Sequence, residues 1–203
     1  MIKVDIREKR FGETRVLHDL LFELGASETL AITGPSGIGK STLLRIVAGL
    51  DVAFKGVIQR PERLAMVFQE PTLLPWRTAR DNIRLVTHID TAAADAALAE
   101  VGLRGKEEHY PAQLSLGQQR RLALARALAA RPELLLMDEP FVSLDAPVVE
   151  EMLQLTESLL TAYRVATIFV THSEMEAKRL ATRILRLGEP RQVPGEGTTR
   201  QRG

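Results

Sequence analysis

Gly34-Pro35-Ser36-Gly37-Ile38-Gly39-Lys40-Ser41 decides the fold. The octapeptide follows the pattern G-x-x-x-x-G-K-[ST], a loop that wraps phosphate. Its glycines let backbone N–H groups turn inward without Cβ clashes, which makes a cradle for phosphate oxygens. The helix expected from Ser41 to Val47 aims its N-terminus at the same point and adds unpaired donors and a dipole. Lys40 supplies positive charge for the β- and γ-phosphates, and the Ser41 hydroxyl suits Mg2+. Upstream, Leu30-Ala31-Ile32-Thr33 reads as a short buried strand. Downstream, Leu43, Leu44, Ile46 and Val47 give the helix its apolar face, and Gly49 is placed to end it. Strand, loop and helix in that order are the context the motif requires.

The next signal is Leu134-Leu135-Leu136-Met137, an apolar run that ends in Asp138-Glu139-Pro140. In a phosphate-loop protein, an Asp at such a strand end holds Mg2+ through its water shell. A Glu beside it can polarise the attacking water, and the metal offsets the repulsion of the two carboxylates. Other strands are expected at 2–6, 15–24, 63–68, 166–171 and 183–187, with Phe11-Gly12-Glu13-Thr14 as a turn. Residues 78–130 read mostly as helix, including Gln118 to Ala129, which stops before Arg131-Pro132. A further helix is expected from Pro147 to Tyr163, with Asp145 as its N-cap. Ser173 and Glu176 read as a capping box, S-x-x-E, for the helix that begins there. The layout is α/β: a small β start, an α/β core and a helical insertion. The tail 189–203 has almost no apolar residues and is expected to be disordered.

Composition narrows the function classes. The 203 residues carry 27 Lys+Arg against 26 Asp+Glu, a net charge of +1, which is no footprint for a polyanion. The absence of Cys excludes disulfide scaffolds, zinc–cysteine sites and thiol catalysis. Met1 to Ile6 alternates apolar and polar residues and is not a signal peptide. No stretch reaches the roughly 18 apolar residues of a membrane span. Soluble, globular and cytoplasmic is the expectation.

Six motifs in order carry a resemblance. The phosphate loop spans 34–41; Val67-Phe68-Gln69-Glu70-Pro71 looks like a Q-loop; Leu114-Ser115-Leu116-Gly117-Gln118-Gln119-Arg120 looks like a signature. The acidic strand spans 134–139, Ser143-Leu144-Asp145 looks like a D-loop, and Val170-Thr171-His172 looks like a switch. Together they resemble the nucleotide-binding ATPase subunits of ABC transporters, from about Phe11 to Leu187. Leu73-Leu74-Pro75-Trp76-Arg77-Thr78 further resembles importers of the nitrate, sulfonate and taurine type.

The resemblance implies a fold: a phosphate-loop NTPase core of ABC type over 1–188, with an N-terminal antiparallel β region and a helical subdomain at about 70–130. It implies ATP and Mg2+ as cofactors. Phe11 would stack on adenine; Gly34, Pro35, Ser36, Gly37, Ile38, Gly39, Lys40, Ser41 and Thr42 would hold the phosphates. Ser41, Gln69 and Asp138 would serve the metal, and Glu139, His172 and Gln69 the hydrolysis. Ser115, Gly117, Gln118 and Asp145 would meet the nucleotide of a second copy, in a head-to-tail dimer that sandwiches two ATP molecules. Leu116 departs from the family's commonest form, in which a glycine stands there; it puts a bulky side chain where backbone approach is close. The implied function is to energise import of a small solute from the cytoplasmic face of the membrane. The partners would be permease subunits, contacted through about 70–82, and indirectly a substrate-binding protein. The alternative is a soluble ABC-type ATPase acting on nucleic acid or ribosomes. It predicts a long coiled coil, tandem domains or a basic arm, and the balanced charge argues against it.

Overall fold

The computed structural model describes residues 1–188, so the tail 189–203 and its expected disorder lie outside the described residues. Strands β1 (Ile2–Phe11) and β2 (Thr14–Leu24) form an antiparallel hairpin, with Ile2 opposite Leu24 and Phe11 opposite Thr14. Phe11 and Thr14, expected in the turn, are therefore paired strand residues. Gly12 at φ 56° and Glu13 make the reversal. Strand β3 (Thr29–Thr33) leads through the phosphate loop into helix α1 (Lys40–Ala48), which ends on a left-handed Gly49.

Strand β4 (Lys55–Gln59) was not anticipated from the sequence. It pairs antiparallel with β1, giving a three-stranded sheet of order β2-β1-β4. Its close approach depends on Gly56, where a Cβ would sit 2.0 Å from the Asp5 carbonyl oxygen. Strand β5 (Leu64–Val67) opens the parallel sheet. Helices α2 (Ala79–Thr87), α3 (Thr91–Glu100) and α4 (Leu116–Ala129) follow and pack on one another. The chain ends its described part with β6 (Leu134–Asp138), α5 (Ala146–Tyr163), β7 (Ala166–Val170), α6 (Glu174–Leu180) and β8 (Arg183–Arg186).

The five-stranded parallel sheet has the order β5-β6-β7-β3-β8. Strict alternation along its strands divides the core in two. Ala31, Leu135, Met137 and Phe169 face helices α2 to α6. Leu30, Ile32, Leu134, Leu136, Ile168 and Val170 face α1 and the β1–β2 hairpin. Both faces are covered, which is why these strands read as continuous apolar runs. Burying one such side chain is worth about 1.5–3 kcal/mol, against about 0.5–1.5 for a net hydrogen bond, so burial sets the register. Strand β7 lies between β3 and β6, so the phosphate loop and the acidic strand end converge over its carboxyl end. That is where open α/β sheets bind ligands.

Candidate nucleotide site

The phosphate loop is shaped from below by β2. Gly39, at φ 104°, caps α1, and a Cβ there would meet Val16 Cγ1 at 2.7 Å and Leu17 Cδ2 at 2.9 Å. No side chain caps the first turn of α1, which leaves its N–H groups to an anion. Lys40 is 5% exposed, and its Nζ donates to the carbonyl oxygens of Gly34 and Pro35, both at 2.9 Å. The ammonium thus lies folded over its own loop. A cleft of about 450 Å³ joins Gly34, Pro35 and Ile38 to His172.

Ser41 Oγ donates to Asp138 Oδ1 at 2.9 Å, across the end of β7. Burial pushes the Asp138 carboxyl above the ordinary range and adjacent Glu139 adds to this, while the Ser41 hydroxyl pulls it down. A hydroxyl beside a carboxylate is an all-oxygen donor set, which suits Mg2+. Among the described residues no cluster of three or more His, Cys, Asp or Glu side chains could hold a metal alone. The set therefore fits an ion that takes its remaining oxygens from substrate phosphates and water.

Glu139 sits at φ 45°, a left-handed conformation that is rare without glycine. Its N–H donates to the Val170 carbonyl at 3.0 Å, which fixes the strained turn. His172 Nδ1 approaches Glu139 Oε2 at 3.8 Å. Gln69 is exposed and lies two residues beyond Val67, which is in register with Met137, two residues before Glu139. Gln69, Glu139 and His172 therefore follow the ends of the adjacent strands β5, β6 and β7 in order.

The other expected residues lie apart. Ser115 caps α4, accepting the Gln118 N–H at 3.3 Å, while Gln118 Oε1 accepts the Ser115 N–H at 3.0 Å. The helix begins at Leu116, two residues earlier than expected, because this capping box closes on Ser115. Leu116 is 41% exposed. Gly117 has an intrachain reason to be glycine: a Cβ would meet Val148 Cγ1 at 2.9 Å. Helix α4 packs on the face of the sheet opposite α1, and the contacts of Ser115, Gly117 and Gln118 described above are with one another and with Val148 rather than with their own chain's phosphate loop. Phe11 is 54% exposed, outside the core, and Lys9 Nζ lies 4.5 Å from its ring centroid.

Two local expectations are corrected. Asp145 occupies the N-cap position of α5 but makes no side-chain cap hydrogen bond. Pro147, second in the helix, has no N–H, which removes one of the two donors a cap uses. Ser173 does cap α6 through the Glu176 N–H, but the box is open: the Ser173 N–H donates to Thr171 Oγ1, and the Glu176 carboxylate takes the Thr171 hydroxyl.

Sequence reasoning gave no role to two arginines of α4, Arg120 at the end of the signature segment and Arg126. Arg120, 6% exposed, donates to the carbonyls of Pro140 (2.6 Å) and Val142 (2.5 Å), just after Glu139. Arg126 donates to the carbonyls of Pro71 and Thr72, both at 3.0 Å, just after Gln69. Both look like surface charges in the sequence, and their partners are backbone atoms that leave no residue signature.

Residues 17–142 match the ABC transporter family. The chain is 46% identical over 180 residues to the aliphatic sulfonates import ATP-binding protein SsuB 3 of Paraburkholderia xenovorans, covering 88% of this chain and 73% of that one. It is 47% identical over 181 residues to SsuB 2 of Streptomyces avermitilis, covering 87% and 72%. The dimeric post-hydrolysis structure of the ATP-binding cassette MJ0796, bound to ADP and Pi, superposes with a TM-score of 0.79 at 29% identity, covering 92% of this chain and 94% of that one. The chain belongs to the ABC transporter family, as an ATP-binding and ATP-hydrolysing subunit of the cassette type.

Proposed function

We propose that the chain powers import of a small solute, with aliphatic sulfonates the first candidates, as a head-to-tail dimer on permease subunits at the cytoplasmic face of the membrane. One observation supports the dimer: helix α4, which Ser115 caps, and helix α1, which follows the phosphate loop, pack on opposite faces of one sheet, an arrangement that suits a site completed by a second copy. The second copy would bring Ser115, Gly117, Gln118 and Asp145 to the ATP held by Gly34 to Thr42, with Phe11 against the base. Among the described residues no helix is long and apolar enough to cross a membrane, which fits a partner that supplies the span. The ATPase domain is residues 1–188, with the helical subdomain at about 70–130. A substrate-binding protein would act through the permease, and no nucleic acid is involved. The sulfonate reading rests on the relatives' names together with the segment Leu73 to Thr78.

In hydrolysis, Lys40 leaves the loop carbonyls for the β- and γ-phosphates. Ser41, Asp138 and Gln69 would hold Mg2+, which when bound neutralises charge on the phosphate oxygens. Glu139 accepts a proton from the attacking water, and the bond between the β,γ-bridging oxygen and the γ-phosphorus breaks to give ADP and phosphate. His172 steadies the γ-phosphate. Glu139→Gln keeps ATP binding but loses this proton acceptor, so light scattering should find an ATP-dependent dimer that does not decay. Hydrolysis at the parent rate by that variant would exclude Glu139 as the base.

A further inference from the structure

The turn between β7 and α6 must place an imidazole whose own side chain is 60% exposed and comes no closer to Glu139 than 3.8 Å, too long for a hydrogen bond. Its aim is therefore set by the backbone on either side. Residues on both sides belong to one closed ring of hydrogen bonds. Thr171, 1% exposed, donates its hydroxyl hydrogen to Glu176 Oε2. Thr171 Oγ1 in turn accepts the Ser173 N–H at 3.0 Å, and Ser173 Oγ accepts the Glu176 N–H at 3.3 Å. The ring thus spans positions −1, +1 and +4 relative to His172. It is anchored to β3, the strand that enters the phosphate loop, by the Thr171 N–H on the Ile32 carbonyl at 3.2 Å.

We propose that Thr171, Ser173 and Glu176 form a positioning ring that aims His172 at the phosphate site, so that Glu176 supports hydrolysis without touching the nucleotide. Capping α6 does not require this arrangement. The cap is complete with Ser173 Oγ and the Glu176 N–H; the carboxylate could remain in water at no cost. Instead it is half-buried against a buried threonine, and desolvating a carboxylate is unfavourable unless a partner offsets it. The partner found is the one residue that also fixes the backbone before and after His172. Both hydrogen-bonding capacities of the Thr171 hydroxyl, one as donor and one as acceptor, are used inside the ring.

The inference rests on the reading that His172 contributes to hydrolysis, and one set of variants separates the two. ATPase rates and ATP affinity are measured for the full chain carrying Thr171→Val, Thr171→Ser or Glu176→Gln, each with His172 intact and with His172→Ala. Thr171→Val and Glu176→Gln should lower kcat roughly tenfold to a hundredfold, the range that follows a displacement of about 1 Å at a reacting centre, with KM and ATP affinity held within about twofold. Thr171→Ser keeps the hydroxyl and should restore the rate. In the His172→Ala background the same substitutions should change nothing further, because coupled residues are not additive. An equal fall in that background would overturn the ring as a device acting through His172. His172→Ala at the parent rate would instead overturn the role of His172 and the ring with it. The NMR shift of the His172 Cε1–H gives a reading independent of rate: it should move in Thr171→Val and return in Thr171→Ser, and a shift unchanged in Thr171→Val would refute the proposal.

Discussion

Asp138 serves two opposed demands. As a candidate metal ligand it must carry charge; as the last residue of a buried strand it stands where charge is costly, at 7% exposure. Burial raises its folded-state pKa above the ordinary carboxylate value. A carboxyl that binds its proton more tightly when folded stabilises the fold at low pH, and that contribution is lost as pH rises through the raised value. Asp138→Asn keeps the acceptor for the Ser41 hydroxyl and removes the charge. The ligand-free variant should therefore melt higher than the parent at about pH 8, by about 2–4 °C for each kcal/mol relieved. The difference should shrink as the pH is lowered from there and the parent carboxyl takes up its proton. Subtracting the parent cancels other titrating groups, Glu176 among them. Melting curves taken as the pH is lowered check the claim, and a variant less stable than the parent at pH 8 contradicts it. ATP hydrolysis by the same variant should collapse, since a neutral amide is a poor ligand for a hard dication.

Helix α4 joins pieces that the chain separates. Its N-cap is the signature residue Ser115, one turn on Arg120 grips the loop after Glu139, and Arg126 grips the loop after Gln69. Thr72, held by Arg126, is left-handed at φ 44°, a conformation that persists only where surroundings enforce it. Arg126→Gln removes three charge-assisted bonds, two to the Pro71 and Thr72 carbonyls and one to the Thr72 hydroxyl, each worth about 1.5–3 kcal/mol at most and less at a partly exposed side chain. Hydrogen exchange at the amides of Thr72 to Leu74 should speed up roughly tenfold, the equivalent of about 1.4 kcal/mol. The amides of Phe141 and Val142, in the loop that Arg120 holds through the Pro140 and Val142 carbonyls, should be unchanged. Uniform acceleration across both loops would mean that the substitution acts through global stability. The same helix shows what the sequence reveals and what it hides. Ser115 and Gln118 were legible as motif residues but not as the capping box that starts the helix two residues earlier than expected, because many S-x-x-Q pairs never close into a box. The buried strands were legible, because their apolar runs follow from burial on both faces. Strand β4 was not: Lys55-Gly56-Val57-Ile58-Gln59 is largely exposed, has no alternation, and exists because β1 offers it an edge. Asp145 was legible as a motif residue but misread as a cap, because Pro147 removes a donor that only helix geometry brings into play.

At the scale of the whole molecule, the division of the core into two faces sends the phosphate loop one way and the helices α2 to α4 the other, and the second group carries the exposed Trp76. At 68% exposure this side chain takes no part in the core. Its loop is nonetheless fixed. Asn82, fully buried, accepts the Leu74 N–H at 2.7 Å and donates through Nδ2 to the carbonyls of Leu74, Arg77 and Thr78 at 3.1, 3.1 and 3.0 Å. A large apolar group held rigid in water loses hydration free energy in the free chain and little conformational entropy on docking, which is the physical profile of a binding anchor. The proposed permease contact through about 70–82 therefore predicts a specific separation of effects. Trp76→Ala should weaken association with the permease about thirtyfold, equivalent to about 2 kcal/mol at an anchor position. The ATP-dependent dimer formed by Glu139→Gln should be unaffected, because the proposed dimer would use Ser115 and the phosphate loop rather than this surface. Co-purification from membranes measures the first and light scattering the second. Full co-purification would move the contact elsewhere on the helical face, and loss of both would show that Trp76 supports the fold instead of a partner.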